Sequence, residues 1–124
     1  MRIRGNDLSD LFSAGVRGMA AVLKDGICSN HEPPGLERSF VLESSDRTSL
    51  LIDFLSEVLT LCYVENAIFC AVRFSKLDDT GLECTVYGFP IDGLDEEIKA
   101  VTYTEAQVVR TEKGAWISDV VFDI

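Results

Sequence analysis

Histidine and tryptophan occur once each among the 124 residues, and proline only three times. His31 is the lone imidazole, set between Asn30 and Glu32 beside a proline pair, so a nucleophile and histidine couple has almost nothing to work with. Its setting is that of an exposed surface residue. Neither a GxGxxG run nor the GxxxxGK phosphate loop is present, and Gly15 and Gly18 fall inside a helical pattern where close packing accounts for them. No stretch approaches the roughly 18 consecutive apolar residues of a membrane span. The amino end offers no apolar signal core either, because Met1–Gly5 leads straight into an aspartate-bearing amphipathic segment. A cytoplasmic protein is expected.

Positive charge is also scarce. Lys plus Arg number 11 against 21 Asp plus Glu, giving a formal net charge of −10. The densest basic group, Arg2 and Arg4, is offset by Asp7 and Asp10. Such a chain repels nucleic-acid phosphates, whose binding depends on cations displacing counterions, and it repels anionic membranes. Direct nucleic-acid and membrane binding are therefore not expected, and any role in RNA chemistry must pass through a protein partner.

Cys28, Cys62, Cys70 and Cys84 form no CxxC pair, and one histidine cannot complete a zinc set. Three of them sit among apolar neighbours. A chain of this length buries roughly two-thirds of its unfolded surface and needs no covalent staple. Buried reduced thiols are the expectation for all four.

Periodicity supplies the architecture. Met1–Arg4 alternates as a strand that Gly5 stops. Asn6 or Asp7 then caps a helix to about Lys24, with Leu8, Leu11, Phe12, Val16, Met19, Val22 and Leu23 on one face and Gly26 at its C′ position. After a loop over 29–36, Arg38–Leu42 reads as a strand. Ser44, Ser45 or Asp46 caps a second helix to about Tyr63. Ile68–Phe74 and Leu82–Tyr87 form a hairpin around KLDDTG, and Ile98–Arg110 and Ala115–Phe122 form a last one around TEKG. The order predicts one domain over 1–124: an α+β two-layer sandwich, both helices on one face of a mixed, mostly antiparallel sheet.

Two acidic groups stand out. Asp92, Asp95, Glu96 and Glu97 precede Lys99; in a loop such a run is more often a solvated face than an acid–base or cation site. Asp119, Asp123 and the Ile124 carboxylate gather oxygen donors at one strand end, though alternate strand residues stand some distance apart.

The stretch IKAVTYTEAQVVRTEKGAWISDVVFDI, Ile98 to Ile124, resembles the closing signature of the archeases: a lysine, an ALTYH-like run and a final strand ending hydrophobic–Asp–hydrophobic. RGNDLSDLFSAGVRGMAAVL and DRTSLLIDFLSEVLTLCYVENAIF are similar to the family's two helices, so the resemblance runs from Ile3 onward. Thr104 stands where a histidine is common and Val58 where a tryptophan is frequent. The family's opening DHTAD-like motif, whose aspartate joins the C-terminal one at a metal, does not occur; an upstream segment or a shortened relative would each account for that. The resemblance implies a small acidic accessory protein, not an enzyme, that promotes guanylylation and turnover of the tRNA-splicing RNA ligase. A chaperone-like role toward a tRNA methyltransferase has also been proposed for the family. It further implies Asp123 and the Ile124 carboxylate as ligands of a divalent cation, calcium or magnesium, held weakly here. Lys99, Thr102 and Tyr103 would meet the RNA ligase protein.

Two rivals remain in play: a shortened interaction module without metal, and a carboxylate-based metal-dependent hydrolase using Asp92, Asp95, Asp123 and Lys99, which demands a concave pocket around them. The short first strand presents an edge, and exposed edges invite pairing. A homodimer through that N-terminal edge is expected.

Overall fold

A computed structural model describes residues 1–29, 34–103 and 106–124. His31 and Thr104 lie outside the described residues. Strand β1 (Arg2–Gly5) runs into helix α1 (Leu8–Leu23). Of the two expected caps it is Asp7 that serves, extended at φ −142° and accepting the Asp10 amide at 2.7 Å, while Asp10 accepts the Asn6 amide at 2.9 Å. The helix ends on Lys24, so Gly26, at φ 82°, stands one residue beyond the expected C′ position and turns the chain into a 3-10 turn over Ile27–Ser29. Strand β2 (Leu36–Glu43) follows, then α2 (Arg47–Glu65), capped by Asp46 on the Ser49 amide at 2.7 Å and closed by left-handed Asn66.

Strands β3 (Ala67–Leu77) and β4 (Gly81–Pro90) make the expected hairpin, its turn fastened by the Asp78 carboxylate accepting the Thr80 and Gly81 amides. β4 lies between β2 and β3, antiparallel to both. The last third departs from expectation. Instead of two long strands it forms β5 (Ala100–Thr102), β6 (Val109–Arg110), β7 (Trp116–Asp119) and β8 (Val121–Asp123). β7 pairs with β1 and β6, whereas β8 pairs with β5, so the strands fall into three antiparallel ladders rather than one mixed sheet. Val120 stands at the junction: fully buried, it exchanges backbone hydrogen bonds with Met1 at 2.7 and 2.8 Å, which extends the β1–β7 ladder by one pair before the chain enters β8.

The α+β character and the two helices stand as expected. α1 presents Leu11, Phe12, Val16, Met19 and Leu23 to the core, and α2 presents Leu51, Phe54, Leu55 and Val58. Against them lies one face of the central ladder, with Phe40, Leu42, Val72, Phe74, Leu82, Cys84 and Val86. The other face is wet, with Val41 exposed and a hydroxyl hydrogen bond of 2.7 Å between Ser39 and Thr85. Gly15 is a packing glycine as read: an added Cβ would meet Leu55 Cδ2 at 3.1 Å. Two guanidinium groups lie over the Trp116 ring, Arg47 of α2 at 4.7 Å and Arg110 of β6 at 5.6 Å from its centre.

The cysteines correct the expectation of four thiols. Cys62 and Cys84 are buried and free, but Cys28 and Cys70 are joined in a disulfide, their Cα atoms 5.4 Å apart, well inside the bridging range. Apolar neighbours in the sequence placed Cys70 against the core, where it is half-buried. They carried no information on the 3-10 turn that brings exposed Cys28 beside it.

Gly5 joins β1 to α1 where backbone crowds backbone: a Cβ there would overlap the Leu11 amide and the Asp10 carbonyl carbon, neither of which can yield. Gly5→Ala should destabilise by about 1–3 kcal/mol or more, as overpacking does. Gly93→Ala, which meets nothing within 4 Å, should be neutral or slightly stabilising. Urea unfolding of the two variants checks the pair.

Candidate partner-docking site

The signature begins where α2 holds it. Ile98 is fully buried, and the Tyr63 hydroxyl takes its amide at 2.9 Å while donating to its carbonyl at 2.6 Å, so one side chain satisfies both backbone groups. Burial pushes the Tyr63 phenol above its usual range, against the Ile98 backbone bond, which pulls it down, with the nearby Glu97 charge adding to the rise. The next residue, Lys99, donates its amide to the Asp123 carbonyl at 2.6 Å. Ala100 pairs with Asp123, so one step further along that register Lys99 stands opposite Ile124. The Lys99 side chain is exposed and enters no ion pair among the described residues. The result is an exposed ammonium on a backbone fixed from both sides.

Tyr103 and Thr102 lie at the far end of the same short ladder, where Thr102 pairs with Val121. Tyr103 is 58% exposed and donates its hydroxyl to the Asp53 carboxylate, a short hydrogen bond. Asp53 also accepts the Ser44 hydroxyl at 2.6 Å. The Thr102 hydroxyl oxygen is buried with no partner among the described residues. Lys99 and Ile124 are thus brought to one end of β5–β8, and Tyr103 to the other, against α2.

Tyr63 and Asp53 were missed in the sequence. Tyr63 read only as the end of a helix; Asp53, a single acid between Ile52 and Phe54 on a broad apolar face, was the available signal.

The four hydrolase candidates do not converge. Asp95 is engaged at the end of α1, its carboxylate accepting the Asp25 amide at 3.1 Å and its own amide bound to the Leu23 carbonyl at 2.8 Å. Asp92 lines a small cavity of about 70 Å³ with Cys62, Tyr63 and Asn66, which Asp95, Asp123 and Lys99 do not line. The metal reading fits only in part. Among the described residues no group of three or more His, Cys, Asp or Glu is placed to hold a metal ion, so Asp123 and the Ile124 carboxylate would supply two oxygen donors without a third protein carboxylate. Asp119 is turned elsewhere, its carboxylate paired with Arg2 at 2.8 Å, which holds it below the usual carboxylate range. Among the described residues no helix is long and apolar enough to cross a membrane.

Two capped helices laid on antiparallel ladders, with the short strand that follows Lys99 paired to the C-terminal one, define a known class of small α+β protein. The model of the archease protein family (MTH1598/TM1083) matches residues 1–124. Among archease proteins of two Methanosarcina species, that of M. acetivorans is 31% identical over 97% of this chain and 85% of its own. That of M. barkeri is 34% identical over 70% of this chain, the match spanning 64% of its own length, a little under two-thirds. The solution structure of Methanobacterium thermoautotrophicum protein 1598 superposes with a TM-score of 0.78 at 29% identity, covering 99% of this chain and 89% of that one. The crystal structure of a Thermotoga maritima archease, described as a "possible chaperone", shares the fold with a TM-score of 0.68 at 21% identity, over 100% of this chain and 88% of that one. The chain belongs to the archease family.

The Tyr103 phenol is held above the ordinary tyrosine value, first by its hydrogen bond to Asp53, then by burial and the Asp53 and Asp46 charges. A raised folded value means that its contribution to stability is complete below about pH 10 and is lost as pH rises through the folded value. Asp53→Asn should therefore bring the Tyr103 titration back toward about 10, read as phenolate absorbance against the parent chain.

Proposed function

We propose that this protein is a non-enzymatic accessory factor that docks on an RNA ligase and promotes its guanylylation and turnover in tRNA splicing or RNA repair. Membership of the archease family supports the reading, and one observation carries it to this chain: Lys99, a cation with no ion pair among the described residues in a protein of net charge −10, is presented on a backbone anchored by Tyr63 and by Asp123. The acidic surface around it matches the basic mouth of an RNA-binding enzyme, where complementary charge speeds encounter and fixes register. The lysine then meets an anionic group of the partner or its bound phosphates. Tyr103, with its exposed ring held by Asp53, and Thr102 belong to the same contact surface. β1 ends its ladder with one side unpaired among the described residues, and a second copy would add its strand there.

The test is reconstitution with the cognate ligase, GTP and a divalent metal. The protein should raise the guanylylated fraction and the number of turnovers, and unchanged guanylylation would sink the proposal. Lys99→Ala should abolish that activation while shifting stability by no more than about 0.5 kcal/mol, as exposed substitutions usually do. A large stability loss would make Lys99 a structural residue instead.

For the cation we propose weak binding, with Asp123 and the Ile124 carboxylate as protein donors and water in the remaining positions. Calcium tolerates such irregular oxygen sets better than magnesium. Millimolar calcium should raise the melting temperature of the parent chain but not that of Asp123→Asn, since a ligand stabilises only through the state it binds. Equal shifts in both would assign the effect to screening of the acidic surface and leave the interaction-module reading without metal.

A further inference from the structure

We propose that the Cys28–Cys70 disulfide is a thiol–disulfide exchange site, opened by glutathione or a thioredoxin-type dithiol, whose state sets how firmly the segment leading to Lys99 is held.

One end of the bridge is open to solvent. Cys28 is exposed in the 3-10 turn after α1, whereas Cys70 is half-buried on β3. In β3 the register jumps from Phe69 opposite Gly88 to Ala71 opposite Tyr87, so Cys70 is the unpaired residue of a bulge, a device that re-aims a side chain. An incoming thiolate can reach Cys28 Sγ from solvent. It forms a mixed disulfide there and expels the Cys70 thiolate, which takes a proton from water. The second thiol of the dithiol, or a second glutathione, then displaces Cys28 as its thiol. Two electrons pass from the reductant, which leaves as its own disulfide.

The remaining cysteines are kept out of this exchange. Burial pushes the Cys62 thiol up to about 11 and the Cys84 thiol up to about 12, so neither supplies a thiolate near neutral pH. A core built from two helices and a three-stranded ladder does not need the bridge for bulk. Disulfides are uncommon where thiol reductants are abundant, except as transient or sensing ones.

The bridge also adjoins the segment that leads to Lys99. From Cys28 back to α1 the backbone is tied turn by turn, Ser29 to Gly26 at 3.1 Å, Ile27 to Lys24 at 3.4 Å and Lys24 to Ala20 at 2.9 Å. The same end of α1 grips the acidic segment: the Lys24 ammonium donates to the Gly93 carbonyl at 3.1 Å, the Asp25 amide to Asp95 at 3.1 Å, and the Asp95 amide to Leu23 at 2.8 Å. That segment runs directly into Ile98 and Lys99. Pinning the turn to β3 fixes the end of α1, and through it the approach to the lysine. These contacts hold whatever partner Lys99 meets.

The experiment is alkylation of the native full chain followed by mass mapping, with hydrogen exchange on the same samples. Without reductant no cysteine should be alkylated; after millimolar glutathione or a thioredoxin-type dithiol, Cys28 and Cys70 alone should be, and oxidised glutathione should reverse the change. The Asp25 and Asp95 amides should exchange about tenfold faster in the reduced form, as local opening allows. Cys28→Ser, at an exposed position, should show that faster exchange under oxidising conditions. Two results would overturn the proposal: a bridge that opens only in denaturant, or one that opens natively with unchanged exchange at both amides.

Discussion

Phe54 carries the fold. It has no exposed surface, and its ring lies 5.4 Å from Phe12, 5.6 Å from Phe74 and 6.0 Å from Phe40. Those rings come from α1, β3 and β2, so one side chain of α2 binds both helices to two strands of the central ladder. Such tilted aromatic pairs add about 0.5–1.5 kcal/mol each beyond the area they bury. Their geometry also fixes the roll of α2 about its axis. That roll decides where Tyr63 and Asp53 point, and so places both anchors of the proposed docking surface.

The helices were legible because each signal was local. Asp7 and Asp46 are cap residues at the right distance from an apolar stripe, and the structure uses both. The β3–β4 hairpin was legible for the same reason, its turn being written in Asp78 and Gly81. The end of the chain was not. Residues 98–110 and 115–122 have strand-like composition, but which ladder each piece joins depends on partners far along the chain, as β7 pairs with β1 at the opposite end of the sequence. A long strand and two short ones sharing a bend look alike in a window of ten residues. The disulfide escaped notice by the same logic, since its partners are 42 residues apart and the apolar setting of Cys70 argued for a thiol.

The site divides likewise. Lys99, Thr102, Tyr103 and Asp123 came from the resemblance of a linear signature to a family, and they lie on one short ladder, β5–β8 or just beyond it. What the signature omits is its support. Tyr63 and Asp53 sit on α2, more than thirty residues upstream, and act through a hydroxyl and a carboxylate that any amphipathic helix might carry. The acidic run before Lys99 looked like a loop charge cluster, yet Asp95 is part of a lock on the end of α1.

The Arg47–Trp116–Arg110 stack gives the molecule an optical handle. Because the chain has one tryptophan, all of its indole emission arises between the first turn of α2 and the β6–β7 hairpin. Two guanidinium groups set the surroundings of that indole, and those surroundings change when the hairpin lifts off α2. The light from an unlabelled sample therefore reports on one joint, the seam between the ladder that holds β1 and the helix that holds Tyr63.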